Sequence, residues 1–251
     1  MPTIKNTIEP KSIGSATDPK GNVLAVDPER ASRSCAFFRV EGTLIDRGAL
    51  AASAYFASNA QGFTERAFRI GALALGAPLY GLLSQSDRTL ATRAAYAALR
   101  HMSEDRVGEL ADEYYEDVLK ERIYERGREL VKQAKRDKHR VVLVSESIEQ
   151  VVSRLAAELS ADDYVCNRLE YVRGEATGKL LDPVVGGHDG GAFVKRYAAE
   201  HAIDLTRSVG YAAYGADLLL LSSVGRPCAV NPDFALRAAA RDAEWPVLEY
   251  R

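Results

Sequence analysis

Cys35-Ala36-Phe37-Phe38-Arg39-Val40-Glu41-Gly42-Thr43-Leu44-Ile45 is the stretch on which the fold turns. Its apolar run from Cys35 to Phe38, ended by Gly42, reads as a buried strand. The same texture returns at Val141-Val142-Leu143-Val144-Ser145-Glu146-Ser147, followed by a helical stretch from Ile148 to Leu159. Tyr164-Val165-Cys166 is a third strand candidate. Arg173-Gly174 and Thr177-Gly178 bracket an expected turn between short extended pieces. A helix is expected over Ala192 to His201, with more strands around Ser208 to Ala212, Pro227 to Val230 and Pro246 to Glu249. Strands alternating with helices imply a parallel sheet with right-handed crossovers.

The block from 47 to about 135 carries no strand signal. Val107, Leu110, Ala111, Tyr114 and Val118 repeat at helical spacing, with Ser103 placed to cap. Ser86 or Asp87 can cap an earlier alanine-rich helix running to about Arg100, and another helix is expected near Thr64. Between Lys120 and Arg140 nine Lys or Arg face four acids, the pattern of a solvated helix face. Ile70 to Leu83 is the most apolar segment. It is too short to span a bilayer and Pro78 interrupts it, so a buried helix is expected. The sharper alternative is a contact face for a partner or membrane surface, in which case Leu73, Leu75, Leu79 and Leu82 are exposed.

Composition narrows the function classes. The 251 residues are 47% hydrophobic and 27% charged with a formal net charge of -2, which suits a globular protein and gives no basic field for nucleic acid. Cys35, Cys166 and Cys228 form no CxxC pair, so reduced thiols in a cytoplasmic protein are expected. The opening residues, 1–33, are polar and aperiodic; they read as a flexible leader with no secretory signal. His101, His139, His188 and His201 are scattered, and no shared metal site among them is expected. Gly186 to Gly191 reads as a loop whose glycines serve turn geometry.

Three separated segments together resemble the phosphoserine-phosphatase-like branch of the haloacid dehalogenase superfamily. Ala36 to Ile45 is similar to that family's first motif, an apolar strand followed by D-x-D-G-T-L. Val141 to Ser147 is similar to its second motif, a strand ending in Ser or Thr. Asp217-Leu218, Val224-Gly225-Arg226-Pro227 and Val230-Asn231-Pro232-Asp233 resemble its fourth motif and the strand beyond. The resemblance implies an α/β fold: a Rossmann-like parallel sheet core over 34–46 and 131–251, with an inserted helical cap over 47–130. The site would lie at the carboxyl ends of the strands.

The family's site residues carry over with losses. The nucleophilic Asp of motif one, which becomes an aspartyl phosphate, falls on Arg39. A guanidinium stays protonated and has no lone pair to offer. The general acid–base Asp falls on Glu41. The two motif-four acids fall on Ala213 and Asp217, so one magnesium ligand position survives. The motif-three Lys falls on Gly190 by ungapped count, or on Lys195 after a local shift. Ser145 matches the phosphate-binding hydroxyl of motif two, or caps the helix that follows its strand, and Thr43 belongs to the motif-one turn.

The resemblance therefore implies a phosphatase shape without the usual hydrolysis. The expected role is binding or regulation, through an anionic or phosphorylated ligand at Arg39, Glu41, Thr43, Ser145 and Lys195, or through a protein or membrane-surface partner on the cap. No cofactor is expected. The alternative is a magnesium-dependent phosphomonoester hydrolase relying on Glu41 and Asp217. Arg39 is expected within salt-bridge reach of Asp217, Glu41 or both, because unpaired carboxylates would repel in a buried cleft.

Overall fold

The computed structural model describes residues 33–46, 48–59, 62, 66–67, 69–71, 74, 88–187 and 189–250. Residues 1–32, Thr64, Ser86, Asp87, His188 and most of 70–83, including Leu73, Leu75, Leu79 and Leu82, lie outside them, so the expectations for those positions do too. Among the described residues no helix is long and apolar enough to cross a membrane.

Six parallel strands form one sheet. They are β1 (Cys35–Arg39), β2 (Arg140–Ile148), β3 (Asp163–Asn167), β6 (Val209–Ala212), β7 (Arg226–Val230) and β8 (Val247–Leu248), in the order β3-β2-β1-β6-β7-β8. β1 is central, paired with β2 from Cys35↔Arg140 to Arg39↔Val144 and with β6 from Ala36↔Val209 to Phe38↔Tyr211. Its side chains alternate between two cores. Ala36 and Phe38 join Val141 and Leu143 on one face, while Cys35 and Phe37 join Val142 and Val144 on the other. A parallel sheet covered on both faces needs apolar residues at every strand position, which is why these strands read as continuous runs.

The first face carries α1 (Ala49–Ser58), α2 (Arg88–Ala97), α3 (Glu104–Tyr114), α4 (Glu125–Arg136) and α5 (Glu149–Leu159). The second carries α6 (Gly190–His201), α7 (Leu218–Leu221) and α8 (Phe234–Asp242). The Ser103 hydroxyl caps α3 by accepting from Arg106 N at 3.2 Å, and Val107, Leu110, Ala111 and Tyr114 form its buried stripe. α3 continues through a π turn at Tyr115–Leu119.

Two features cut across the 130/131 division drawn from the sequence. α4 spans it and packs on β2. The antiparallel pair β4 (Leu169–Val172) and β5 (Glu175–Leu180) lies beyond it yet is hydrogen-bonded to the helical block. His101 N donates to Ala176 O at 2.8 Å, Ala176 N to Met102 O at 2.8 Å, and Glu104 N to Gly174 O at 2.9 Å. Arg173-Gly174, both at positive φ, makes the tight turn of this hairpin. Thr177-Gly178 does not turn; it lies within β5.

The loop Gly186 to Gly191 also departs from expectation, because Gly190 and Gly191 begin α6. A Cβ at Gly190 would stand 3.1 Å from Leu220 Cβ, and one at Gly191 2.6 Å from Leu219 O. Helix-on-helix packing explains these glycines.

Gly225 gives the sharpest test of the sheet's base. A Cβ there would stand 1.8 Å from Thr206 O, while Gly225 N donates to Leu205 O at 2.8 Å. Backbone must move to admit a methyl group. Gly225→Ala is expected to cost about 3 kcal/mol in urea unfolding; an unchanged midpoint would mean the two loops separate freely.

Candidate functional site

The carboxyl ends of β1, β2 and β6 bring four buried charges together. Arg39 is the last residue of β1, and its side chain is 2% exposed. Arg39 Nε donates to Asp217 Oδ1 at 2.8 Å and Nη2 to Glu146 Oε1 at 3.2 Å, while Nη1 lies 3.6 Å from Glu41 Oε2. The three carboxylates are each 1% exposed. One fully charged fork therefore reaches three acids from three segments.

Local backbone features aim each acid. Glu41 follows β1, where Gly42 at φ +83° turns the chain and the Thr43 hydroxyl donates back to Arg39 O. Gly42 has no room for a side chain, since a Cβ would stand 2.5 Å from Ala213 Cβ. Asp217 ends the turn Gly215–Asp217 beyond β6. That turn is tied down by Asp233, whose carboxylate accepts from Gly215 N at 3.1 Å and caps α8 by accepting from Leu236 N at 2.7 Å. Glu146 lies where the β2–β3 register shifts between Val144 and Ile148, an irregularity of the kind that re-aims side chains beside functional sites. Asn167 holds that segment, donating to Glu146 O at 2.7 Å.

Neighbouring hydroxyl, amide and guanidinium donors complete the cluster. The Ser145 hydroxyl donates to Glu41 Oε1 at 2.6 Å, and Glu146 N donates to the same oxygen at 3.1 Å. Arg88, at the described start of α2, donates through Nη2 to Glu146 Oε1 and lies over the Tyr214 ring, 4.1 Å from its centroid. Thr92 Oγ1 is 3.1 Å from Glu146 Oε2.

Three carboxyls thus share two guanidinium groups. Burial pushes Glu41 and Asp217 above the ordinary carboxyl range, with Arg39 pulling each only partly back. For Glu146 burial acts the same way, but Arg88 and Arg39 outweigh it and hold the group below its ordinary value. Arg39 stays firmly charged: burial opposes the charge, and Asp217, Glu41 and Glu146 overcome it. Glu41 Oε2 and Asp217 Oδ2 are buried with no hydrogen-bond partner among the described residues.

Of the positions singled out from the sequence, Arg39, Glu41, Asp217 and Ser145 meet here. Thr43 serves the turn, and Ala213 brings no side-chain oxygen. Gly190 packs against Leu220, and Lys195 lies exposed on α6, outside the buried cluster. Glu146, Arg88 and Thr92 were missed. The signal for Glu146 was present: an acid inside an otherwise buried strand needs a partner. Arg88 and Thr92 carried no local signal, since tertiary packing alone brings them in. Among the described residues no group of three or more His, Cys, Asp or Glu side chains is arranged to hold a metal ion.

Comparison with known proteins agrees with this architecture. The family model described as haloacid dehalogenase-like hydrolase matches residues 36–222. The chain is 26% identical over 227 residues to phosphoserine phosphatase SerB1 of Mycobacterium tuberculosis, covering 87% of this chain and 71% of that protein. It is 33% identical over 168 residues to an inhibition of morphological differentiation protein of Streptomyces azureus, covering 65% and 60% respectively. Among solved structures, a protein of unknown function from Bordetella pertussis Tohama I superposes with a TM-score of 0.74 at 20% identity, covering 86% of this chain and 98% of that one. An apo phosphoserine phosphatase superposes at 0.65 with 17% identity, covering 88% and 95%.

The opposed shifts at Glu41 and Glu146 give a test whose sign is fixed by linkage. An acid raised on folding keeps its proton where the unfolded chain has lost it. Its contribution therefore worsens as pH rises from the unfolded value, about 4.3, through the raised native value. For Glu146 the contribution is complete above that unfolded value and is lost as pH falls through the depressed native one. Glu41→Gln should gain on wild type in melting temperature as pH rises above the unfolded value, about 4.3. Glu146→Gln should be less stable at neutral pH by about 3 kcal/mol, the cost of breaking a buried pair. Its deficit should shrink on acidification below the ordinary carboxyl range. Parallel pH profiles for the two variants would contradict the charge assignment.

Proposed function

Because the chain belongs to the haloacid dehalogenase-like hydrolase family, in its phosphoserine-phosphatase-like branch, we propose that it is a catalytically silent member with a binding or regulatory role. The observation that carries this reading is the Arg39 guanidinium at the nucleophile's position, bonded to Asp217 and facing Glu41. Attack on phosphorus needs a lone pair at that position, and Arg39 has none. Glu41 is committed as well, since one of its oxygens accepts from the Ser145 hydroxyl and from Glu146 N.

Magnesium does not fit this donor set. The ion requires near-octahedral oxygen ligands at about 2.1 Å. Here a cation already sits against Asp217 and Glu41, and Ala213 supplies no oxygen. The helical block 47–130 is then a cap fastened to the core through Arg88, Thr92 and Glu146. A binding role calls for an anionic or phosphorylated small molecule, or a protein partner on the cap.

The second reading, phosphomonoester hydrolysis through Glu41 and Asp217, is favoured by the names of the relatives, several of which are phosphoserine phosphatases. It would need Arg39 to leave the acids it neutralises.

The two readings separate in one assay. Purified protein is expected to hydrolyse neither p-nitrophenyl phosphate nor phosphoserine above background, with or without magnesium. Magnesium should leave its melting temperature unchanged, because a ligand binding only the native state raises it. Arg39→Asp/Ala213→Asp, which restores both acids, should show a saturable magnesium-dependent rise. Magnesium-dependent turnover by wild type that disappears in Glu41→Gln would establish the hydrolase reading instead.

A further inference from the structure

The basic run from Lys120 to Arg140 ends at a cavity that the buried cluster does not use. This cavity lies at the amino-terminal ends of the strands, opposite the end that carries Arg39. Its volume is about 840 Å³, within the roughly 300–1,000 Å³ of small-molecule sites. Arg33 lines it from before β1, Lys135 and Lys138 from the end of α4, and Arg140 from the start of β2. The backbone holds these segments together: Arg140 N donates to Ser34 O at 2.9 Å and Asp204 N to Arg33 O at 2.8 Å.

The acids around the cavity are committed elsewhere. Asp162 Oδ2 accepts from Val141 N at 2.8 Å, and its Oδ1 lies 3.7 Å from Lys135 Nζ. Asp163 Oδ2 accepts from Arg140 Nη2 at 3.0 Å and from the Tyr197 hydroxyl at 2.9 Å. Glu200 faces Arg196 on its own helix at 4.0 Å. Arg33 and Lys138, both exposed, have no ion-pair partner among the described residues. Ser34 adds a donor. His139 Nε2 accepts from Arg226 Nη2 at 3.0 Å, so Nδ1 carries the ring proton and donates it to Ser34 Oγ at 2.7 Å. The Ser34 hydroxyl thus keeps its own proton for another acceptor. The carbonyl ends of α4 and α6 also meet here and would repel an anion. Turns through Lys138 at φ +62° and Ala202 at φ +51° return backbone donors to them, His139 N to Ala134 O and Ile203 N to Ala198 O.

We infer that this cavity binds a small polyanion of the oligophosphate class, with Arg33 and Lys138 as its free counter-charges and Lys135, Arg140 and the Ser34 hydroxyl around them. A single oxyanion would leave most of the space and most of the cations unused, whereas linked phosphates reach several cations at once. The site is separate from the carboxyl-end cluster and stands whether that cluster is silent or hydrolytic.

Calorimetric titration with sodium tripolyphosphate, in EDTA and at constant ionic strength, tests this. Wild type is expected to bind it saturably at one site per chain. Arg33→Ala/Lys138→Ala should weaken binding at least about tenfold. Lys179→Ala/Lys195→Ala removes the same charge from lysines outside the cavity and should change affinity by less than about twofold. All four side chains are exposed, so both variants should fold. Absence of saturable binding to wild type, or undiminished binding to Arg33→Ala/Lys138→Ala, overturns the assignment. Equal losses in the two double variants overturn it as well, because net charge alone would then attract the anion.

Discussion

A guanidinium that cannot be deprotonated, placed at the end of a central buried strand, obliges the surrounding structure to supply negative charge. Leaving such a group unpaired would cost several kcal/mol even after relaxation. Asp217, Glu146 and Glu41 supply it, each delivered by a different strand end. The bent backbone at Glu146, the Gly42 turn and the Asp233-anchored loop before Asp217 all follow from having to aim these carboxylates at one point. The polar cluster is thus a constraint on three loops at once, and the apolar cores on either face of the sheet are compatible with it because it sits at their rim.

The same constraint separates fold from chemistry. The strand order and the crossovers belong to a family of hydrolases, but function resides in the groups at the strands' carboxyl ends. Here an obligate cation stands among the carboxylates at those ends, bonded to Asp217 and Glu146 and 3.6 Å from Glu41. Burial raises Glu41 and Asp217, while Arg88 and Arg39 hold Glu146 low, so the three acids of the cluster are not electrostatically equivalent. The thiols do not offer a substitute nucleophile, since burial pushes both Cys35 and Cys166 up to about 12.

Much of this was legible before any coordinates. The apolar runs at Cys35, Val141 and Pro227 named strands because a doubly covered parallel sheet permits no polar alternation. Val107, Leu110, Ala111 and Tyr114 named a helix because their stripe has one face to bury. The meeting of Arg39 with Asp217 could be anticipated because charge must be paired wherever it is buried. What remained hidden depended on contacts between distant segments. Arg88 has no neighbour in sequence that explains it, and its partner Glu146 is 58 residues away. The hairpin misled for a related reason: Thr177-Gly178 looks like a turn, and Gly178 at φ +79° is shaped for one. The close approach of Ala97 and Arg100 accounts for it instead, since a Cβ there would meet both at 3.0 Å.

Among the described residues the first strand in sequence is also a central strand of the sheet. Contacts at its start join residues 105 positions apart toward β2 and 173 apart toward β6. During synthesis the apolar run Cys35 to Phe38 emerges before both of its partner strands, β2 and β6. Its earliest neighbours are the helices of the inserted block, and these in turn lack the hairpin at Gly174 to Ala176 that ties their loop. Order in the sheet is therefore a late, long-range event, slow for reasons of chain entropy and exposed to off-pathway strand pairing. Until β2 and β6 are both in place the central strand is an unpaired apolar edge, a liability of chain order rather than of the finished fold.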